Sequence, residues 1–318
     1  MGSAGEPGFQ VKQVHPTFAC EIQGLDLSQG ITDDQFNQVR DLVHEYGVVV
    51  IRKANFPDDL AHIEFSKRFG DIEKSKYRSA HMRPLPYPEI FDISNLDENG
   101  EVVTHSNERR TTAIRGNALW HADGSFNPRR TYISCLRAVE LPPKSTGGHT
   151  EYADARQAYD DLPEETKAKI KDLVAIHSFY HNRKTANPDS PLFKDIEVLD
   201  MPVSRHKLVT NHEPSGRHML YVTSYAHSIE GMPLEEGQKL LKELADHCKQ
   251  EKYVFQHHWE SPGDVAVWDN TAVLHRATTG AYEGKYRRDM RRTCINDSGP
   301  EAYGLNDPAL AANQANSS

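Results

Sequence analysis

The sequence predicts a mainly β fold with flanking helices, either a barrel or a double-sheet jelly roll in a single domain. Three observations favour this fold class. Short apolar runs recur after residue 115, turns containing Gly or Pro separate them, and two longer segments with helical spacing interrupt them. The strand-like runs lie at residues 131–138, 208–210, 219–223, 264–268 and 291–295, and the helices are predicted at 166–177 and 234–250.

The segment before these strands has a different pattern. Thr32 and Gln35 match a capping box, which predicts the start of a helix over residues 32–47. A short apolar strand over 48–52 and a second helix over 57–69 follow it. We expect this segment to cover one face of a sheet rather than to form a domain of its own.

The length of the chain, 318 residues, suits one large domain that folds without disulfides or structural metals. We predict an N-terminal tail at residues 1–14, a single domain at 15–297 and a flexible C-terminal tail at 298–318. The C-terminal boundary rests on the richness of the last stretch in Ala, Asn, Gly and Ser.

The composition argues against several classes of partner. Lys and Arg number 37 and Asp and Glu number 46, so the formal net charge is −9, which disfavours nucleic acid. The longest aliphatic run, residues 48–51, is far shorter than a membrane span. The four cysteines form no Cys-x-x-Cys pair and the N-terminus has no apolar signal segment, so we expect a cytoplasmic protein with reduced thiols.

Two histidines and one aspartate carry the functional prediction. His121 and Asp123 are separated by one residue, so both side chains point to the same side if the segment is extended. His275 follows a predicted strand and can supply a third ligand. Two histidines and one carboxylate on one face of Fe(II) leave positions open for a cosubstrate and dioxygen. The alternative is coincidence, because a chain with 17 histidines can contain a His-x-Asp triplet by chance.

A basic cluster near the C-terminus strengthens this prediction. Arg288 and Arg292 lie four residues apart, so they share one face of a strand. A guanidinium binds a carboxylate through two parallel hydrogen bonds, and two arginines that point into a cavity would need anionic ligands. The alternative is a solvated basic strand whose arginines pair with surface carboxylates.

Several motifs, in order, resemble those of the Fe(II)/2-oxoglutarate-dependent taurine/2,4-dichlorophenoxyacetate dioxygenases, the TauD/TfdA family. They lie at residues 24–27, 68–70, 119–126, 147–154, 268–270, 275–276 and 288–292. The resemblance extends over about residues 15–296 and is greater to the dichlorophenoxyacetate branch than to the taurine branch. One position departs from the family pattern, because His149 stands where Asn or Asp is expected in a Gly-Gly-x-Thr turn.

The resemblance implies a double-stranded β-helix, which is a jelly roll, and an iron ion held by His121, Asp123 and His275. It implies that Thr150 and Arg288 bind the far carboxylate of the cosubstrate 2-oxoglutarate. It further implies a set of substrate-binding positions, which are Arg292 for the acidic group, Asn117, Phe179, Tyr221 and His81.

The implied reaction converts 2-oxoglutarate and dioxygen to succinate and CO2 and oxidises a C–H bond of a small acidic substrate. An aryloxyalkanoate, an amino acid or related acid, or a sulfonate would fit. Hydroxylation is the default outcome, and ring closure, desaturation or cleavage are compatible. No nucleic-acid or membrane partner is expected, whereas a homo-oligomer is compatible with the sequence. Two alternatives stay open: a zinc-dependent hydrolase with the same three ligands, and a non-catalytic jelly-roll binding module.

Overall fold

The computed structural model describes residues 8–75, 83–103 and 107–309, which fold into sheets with helices outside them. The strands are β1 (Gln10–Gln13), β2 (Cys20–Gln23), β3 (Val48–Ile51), β4 (Phe91–Asp92), β5 (Thr131–Glu140), β6 (Thr150–Asp154), β7 (Val174–His177), β8 (Ser204–Lys207), β9 (Val209–His212), β10 (Arg217–Leu220), β11 (Ala226–Ile229), β12 (Val254–His257), β13 (Val265–Asp269), β14 (Val273–Ala277) and β15 (Asp289–Asn296). The α-helices are α1 (Asp33–Tyr46), α2 (Asp59–Lys67), α3 (Glu108–Asn117), α4 (Ala155–Asp160), α5 (Glu164–Ile170), α6 (Phe179–Ala186) and α7 (Leu234–Cys248).

The largest sheet has the strand order β1-β2-β3-β13-β5-β15-β4. Its strands pair antiparallel, except that β2 and β3 pair parallel. Smaller sheets have the orders β12-β6-β14, β11-β7-β8 and β10-β9. Since β6 and β14 belong to one sheet and β5 and β15 to the other, residues from distant parts of the chain meet between the two sheets.

The central strand β13 contributes to two apolar cores, because successive residues of a strand point to opposite faces. Val265 and Val267 pack with the buried stripe of α1. Ala266 and Trp268 pack on the opposite side, in the core that also contains residues of β6 and β14. The N-terminal helices therefore cover one face of the large sheet, as the sequence predicts.

The interior between the two sheets is filled mainly by aromatic and apolar side chains. The rings of Tyr152 on β6 and Trp268 on β13 have centroids 5.6 Å apart, so they join the facing sheets directly. Met290 on β15 and Val273 on β14 lie in the same core. Two facing antiparallel sheets around one such core form a jelly roll, and the predicted fold class is confirmed.

The local signals at helix ends predict the structure well where they are strong. Thr32 accepts a hydrogen bond from the amide of Gln35, the Gln35 side chain bonds back, and Gly47 ends α1 with φ 73°. These contacts satisfy the otherwise unpaired amides of the first turn and allow the left-handed C-terminal turn. The long helix predicted over 234–250 is confirmed as α7.

The helix predicted over residues 166–177 is wrong in its second half. Helix α5 ends at Ile170, and Val174–His177 form β7 at the centre of a three-stranded sheet. Strand β7 pairs antiparallel with both β8 and β11. Four apolar and polar residues are too few to distinguish a helical from a strand period, and pairing on both edges decides the conformation.

Both ends of the described chain contact the domain. Strand β1 pairs antiparallel with β2, although it lies within the segment predicted as an N-terminal tail. Near the C-terminus, the amide of Arg130 donates to the carbonyl of Ala302, and the amide of Leu305 donates to the carbonyl of Arg205. The domain boundaries at residues 14 and 297 stay predictions.

Within the described ranges, no helix combines the length and the apolar character needed to cross a bilayer. The four cysteines are buried and unpaired. Burial raises the pKa of the Cys248 thiol to about 12, so this thiol stays protonated at neutral pH.

The capping box of α1 gives a stability prediction. Thr32→Ala removes the acceptor for the Gln35 amide, so we expect the free energy of unfolding to fall by about 1 kcal/mol. Urea unfolding followed by circular dichroism measures the change. Asn37→Ala, at an exposed position of the same helix, serves as the control and should change it by less than about 0.5 kcal/mol.

Candidate active site

Three buried side chains form a potential metal-binding cluster between the two sheets. His121, Asp123 and His275 each place one nitrogen or oxygen within 4.8 Å of the others, the only such group of three in the described residues. Asp123 Oδ1 lies 3.7 Å from His121 Nε2, and Asp123 Oδ2 lies 3.6 Å from His275 Nε2. The structure therefore brings together the three residues that the sequence predicts as ligands.

Backbone hydrogen bonds hold the two histidines in register. The amide of His121 donates to the carbonyl of His275 over 2.9 Å, and the amide of His275 donates to the carbonyl of His121 over 2.8 Å. This isolated bridge fixes His121 against β14, which contains His275, and the two imidazole centroids are 4.2 Å apart. The backbone at His121 is therefore paired like a strand residue, whereas Asp123 lies at the start of the turn that follows.

The ring nitrogens of the cluster are left available for a metal ion. His121 Nδ1 lies 2.7 Å from the carbonyl of Leu119, and donation to that oxygen leaves the Nε2 lone pair unused. His275 has no hydrogen-bond partner for either ring nitrogen, although both are buried. Burial lowers the pKa of both imidazoles, so they are neutral ligands at pH 7. Unpaired buried nitrogens beside a carboxylate fit a divalent metal such as Fe(II).

Asp123 is fixed through both its carboxylate and its backbone amide. Ser134 on β5 donates to Asp123 Oδ2 over 2.7 Å. Asn270 accepts the backbone amide of Asp123 over 2.9 Å and donates to Ser134 over 3.0 Å. Gly124 has φ 63°, and a Cβ there would lie 2.2 Å from Thr131 Oγ1, so the tight turn after Asp123 requires glycine.

Arg292 on β15 reaches the same carboxylate. Its Nη1 lies 2.8 Å from Asp123 Oδ1, and its Nε is buried without a hydrogen-bond partner. Burial alone would raise the pKa of Asp123, but Arg292 and the two histidines outweigh this effect and hold that pKa below its ordinary value. The carboxylate is therefore charged, as metal binding requires.

A second polar group lies at the start of β6, beside the metal-binding cluster. Thr150 Oγ1 accepts a hydrogen bond of 3.1 Å from the indole nitrogen of Trp259, so its own proton is free to point elsewhere. Arg288 is buried, and its Nε donates to the carbonyl of Gly148 over 3.3 Å. No carboxylate of the described chain forms an ion pair with Arg288, which therefore suits an anionic ligand.

The predicted substrate-facing positions have different surroundings. Asn117 and Arg288 line one cavity of about 130 Å³, whose apolar wall includes Ile114. The ring of Phe179 contacts Phe126, with centroids 5.4 Å apart. His81 lies outside the described residues.

Tyr225, rather than Tyr221, contacts the predicted metal ligands. The rings of Tyr225 and His121 have centroids 5.9 Å apart in an edge-to-face arrangement. Tyr221 is fully buried, and its ring packs against His177 and His206. Tyr225 lies in the turn that follows Tyr221 by a few residues, and the local sequence pattern does not show which of the two tyrosines faces His121.

The unusual residue of the Gly-Gly-x-Thr turn lies beside another histidine. The rings of His149 and His258 have centroids 4.0 Å apart. His149 leaves the turn intact, because Gly147 and Gly148 supply its positive φ values of 93° and 83°. Thr150 therefore keeps its place at the start of β6.

Comparison with known proteins identifies the family. The sequence model described as "Taurine catabolism dioxygenase TauD, TfdA family" matches residues 10–294. The chain is 34% identical over 281 residues to the alpha-ketoglutarate-dependent 2,4-dichlorophenoxyacetate dioxygenase of Burkholderia sp. (strain RASC), with 88% of this chain and 91% of the relative covered. The chain belongs to the TauD/TfdA dioxygenase family.

Further TauD/TfdA relatives support the same class. The (S)-phenoxypropionate/alpha-ketoglutarate-dioxygenase of Sphingobium herbicidovorans is 31% identical, with 86% of this chain and 90% of the relative covered. The crystal structure of AAD-2 in complex with Mn(II) and N-oxalylglycine superposes with a TM-score of 0.80 at 30% identity, covering 92% of this chain and 98% of AAD-2. N-oxalylglycine has the two carboxyl ends of 2-oxoglutarate, which is another name for alpha-ketoglutarate.

Membership of the TauD/TfdA family defines the enzyme class. The protein is an Fe(II)/2-oxoglutarate-dependent dioxygenase, and its reactants include a small-molecule substrate and dioxygen. The zinc hydrolase and the non-catalytic binding module lose support, because the relatives that match most of the chain are named dioxygenases.

Sequence reasoning missed several residues that support the TauD/TfdA site. Their side chains act through contacts with residues far away in the chain, so no local spacing reveals them. They are Ser134 and Asn270 beside Asp123, Trp259 beside Thr150, Tyr225 beside His121, and Arg183 beside Phe179. For Asn270, the motif Trp268-Asp269-Asn270 was a signal of family membership but did not indicate the contact.

The contact of Asn270 with Asp123 predicts an effect on metal affinity. We expect Asn270→Ala to weaken Fe(II) binding about 10–100-fold. The Asn270 side chain accepts the Asp123 amide and donates to the Ser134 hydroxyl, so its loss removes the group that holds both in place beside the carboxylate. Anaerobic titration with Fe(II) measures the dissociation constant. Asn296→Ala, at the end of β15 beside Asp71, serves as the control, and equal affinities in both variants would contradict the assignment.

Proposed function

We propose that this enzyme oxidises a C–H bond of a small carboxylate-bearing substrate, with an aryloxyalkanoate as the first choice. One observation carries the proposal: a buried His-Asp-His cluster lies in the same interior as Arg288, which is buried just before β15, and the largely buried Arg292 on β15, so two different anions can be bound. An enzyme that combines a dicarboxylate cosubstrate with an acidic substrate needs this arrangement. From the same cluster and arginines we propose which residues bind the metal, which bind the cosubstrate and which bind the substrate.

His121, Asp123 and His275 are proposed to hold the iron. Bound Fe(II) would supply the activation of dioxygen and the oxidative decarboxylation of 2-oxoglutarate to succinate and CO2. The protein supplies neutral imidazoles, a charged carboxylate and a dry site. The backbone bridge between the two histidines fixes their separation before the metal binds, which lowers the cost of binding.

Thr150 and Arg288 are proposed to bind the far carboxylate of 2-oxoglutarate. The indole of Trp259 occupies a lone pair of Thr150 Oγ1, so the hydroxyl can donate its proton to an anion. Arg288 adds a charge that no described carboxylate neutralises. Its backbone is held by Asn95, whose side chain accepts the Arg288 amide over 2.8 Å.

Arg292 is proposed to bind the acidic group of the primary substrate, and Asn117 and Phe179 are proposed to face that substrate. The pairing of Arg292 with Asp123 keeps the guanidinium directed at the cluster. A substrate carboxylate bound there would lie close to the oxidising centre, and placement decides which hydrogen reacts. Tyr221 and His81 stay in the proposal only as positions implied by the resemblance.

The substrate class follows from the relatives and from the aromatic surroundings. Names of similar proteins include 2,4-dichlorophenoxyacetate and (S)-phenoxypropionate as substrates. Phe126, Phe179 and Tyr225 form a row of aromatic rings next to His121, which suits an aryl group. Amino acids and sulfonates are the other acids to be compared.

We also propose that the enzyme acts in the cytoplasm, on acidic small molecules and without a nucleic-acid or membrane partner. The net charge of −9 and the four unpaired cysteines support this proposal. A homo-oligomer is compatible with it, and sedimentation of the purified protein measures the assembly state.

The class of substrate can be tested by turnover. Anaerobically purified protein, loaded with Fe(II) and given 2-oxoglutarate and oxygen, should form succinate faster when phenoxyacetate is added. His121→Ala and Asp123→Ala should reduce succinate to background, because each removes one metal ligand. His218→Ala, an exposed histidine on β10, is the control. Stimulation by taurine or an amino acid but not by phenoxyacetate would redirect the proposal to that acid.

The roles of Arg288 and Arg292 can be separated by steady-state kinetics. Arg288→Ala should raise the KM for 2-oxoglutarate about 10–100-fold, which is the worth of a charge-assisted hydrogen bond. Arg292→Ala should raise the KM for the primary substrate more than that for 2-oxoglutarate. If both variants change the two KM values equally, the division of roles is wrong.

A further inference from the structure

Arg183 is a buried cation that the assignments above leave without a role. It lies in α6, and its side chain is 9% exposed. Its Nη1 donates to the side chain of Asn182 over 2.7 Å, and its guanidinium lies 4.5 Å from the ring centroid of Phe179. A Cβ on Gly116 of α3 would overlap this guanidinium, so glycine at 116 makes room for it.

Arg183 differs from most buried arginines of this protein. Six arginines of the described chain are buried, and four of them form ion pairs. These pairs are Arg110–Asp92, Arg130–Asp297, Arg137–Asp59 and Arg156–Asp154. Arg183 and Arg288 are the two without a described carboxylate partner. An uncompensated buried cation is costly, and for Arg288 a dianionic cosubstrate would offset that cost.

The charge of Arg183 acts on the predicted active site. The Tyr225 hydroxyl is its other polar neighbour, and the ring of Tyr225 contacts His121. Burial lowers the pKa of Arg183, and the charge of Arg292 adds to that lowering. Arg183 and Arg292 therefore repel each other across the site until an anion binds.

Phe179 and Arg183 form one face of α6, because residues four apart lie above each other on a helix. Phe179 is joined through Phe126 to the aromatic row beside His121. An aryl ring against Phe179 would therefore have its acidic group within reach of a guanidinium on the same helix. Arg292 approaches the cluster from β15 and is already paired with Asp123.

We propose that Arg183 is a specificity-determining residue that binds the anionic group of the primary substrate together with Arg292. The inference rests on the proposed function and deepens it, since it selects substrates in which an aromatic ring and an anion are close together. Arg183 supplies a cation from α6, and the substrate supplies the counter-charge that this buried cation lacks. Neutral analogues of the same shape would leave Arg183 without a counter-charge, whereas Arg292 keeps Asp123.

Binding without turnover tests the proposal. Protein loaded with Mn(II) and N-oxalylglycine is titrated calorimetrically with phenoxyacetate and with 2-phenoxyethanol, which has the same ring but no charge. We expect the wild type to prefer the acid and Arg183→Met to bind it at least about 10-fold more weakly, with N-oxalylglycine affinity unchanged. Arg183→Lys keeps the positive charge but loses the planar, two-pronged guanidinium, so its affinity for phenoxyacetate should be intermediate between those of the wild type and Arg183→Met.

A matched control and a stability measurement separate ligand binding from a structural role. Lys184→Met removes a neighbouring cation of α6, whose amine donates to the carbonyl of Ile196, and should not change acid binding. The Tm of ligand-free Arg183→Met should equal or exceed that of the wild type, because an unpaired buried cation is replaced by an apolar chain. A fall in Tm with unchanged acid affinity assigns Arg183 a structural role and overturns the inference.

The remaining outcomes also decide the question. Wild-type affinity for phenoxyacetate in both Arg183→Met and Arg183→Lys overturns the inference, and if Arg183→Met fails to fold, wild-type affinity in Arg183→Lys alone does so. A wild type that does not prefer the acid over the alcohol overturns it as well and leaves the dioxygenase class intact. A wild type that binds no N-oxalylglycine in the presence of Mn(II) contradicts the proposed function itself.

Discussion

The backbone bridge between His121 and His275 is the interaction on which the rest of the site depends. It joins the segment after α3 to β14, so residues far apart in the chain share one register. Strand β14 pairs with β6, which carries Thr150, and β6 faces the large sheet, in which β15 carries Arg292 and follows directly after Arg288. The proposed metal ligands and anion-binding residues are thus positioned by one set of strand pairings, and a shift of one residue would reverse the faces of those on the strands.

The charge distribution explains why the interior tolerates so much polarity. Most buried arginines pair with carboxylates, which offset the cost of burying the charge, whereas Arg183 and Arg288 have no such partner in the described residues. A protein gains no stability from such groups, because desolvation of a lone cation costs free energy. Their burial beside the metal-binding cluster is understandable if ligands supply the missing negative charge. The same residues then confer affinity and make the empty site less stable than an apolar one.

The sequence predicts those parts of the site that depend on short-range geometry. The spacing of His121 and Asp123 requires only an extended segment, and the spacing of Arg288 and Arg292 requires only a strand. The contact of Asn270 with the Asp123 amide depends instead on how a turn after β13 meets the other strands. Likewise, the ring of Tyr225, and not that of Tyr221, contacts His121 because of the path of the backbone turn that contains Tyr225. Strand β7 was missed for the same reason, because pairing on both edges overrides a short local pattern.

The pairing of Arg292 with Asp123 links metal binding to substrate binding. Asp123 Oδ1 accepts Arg292 Nη1 and is also the oxygen nearest to His121 Nε2, so a metal ion held by these ligands would compete with Arg292 for the same negative charge. Metal binding would weaken the ion pair and leave Arg292 in need of another anion. By linkage, an anion that binds Arg292 would in turn favour the metal. Arg183, which has no such competitor, would attract the substrate anion whether or not the metal is bound.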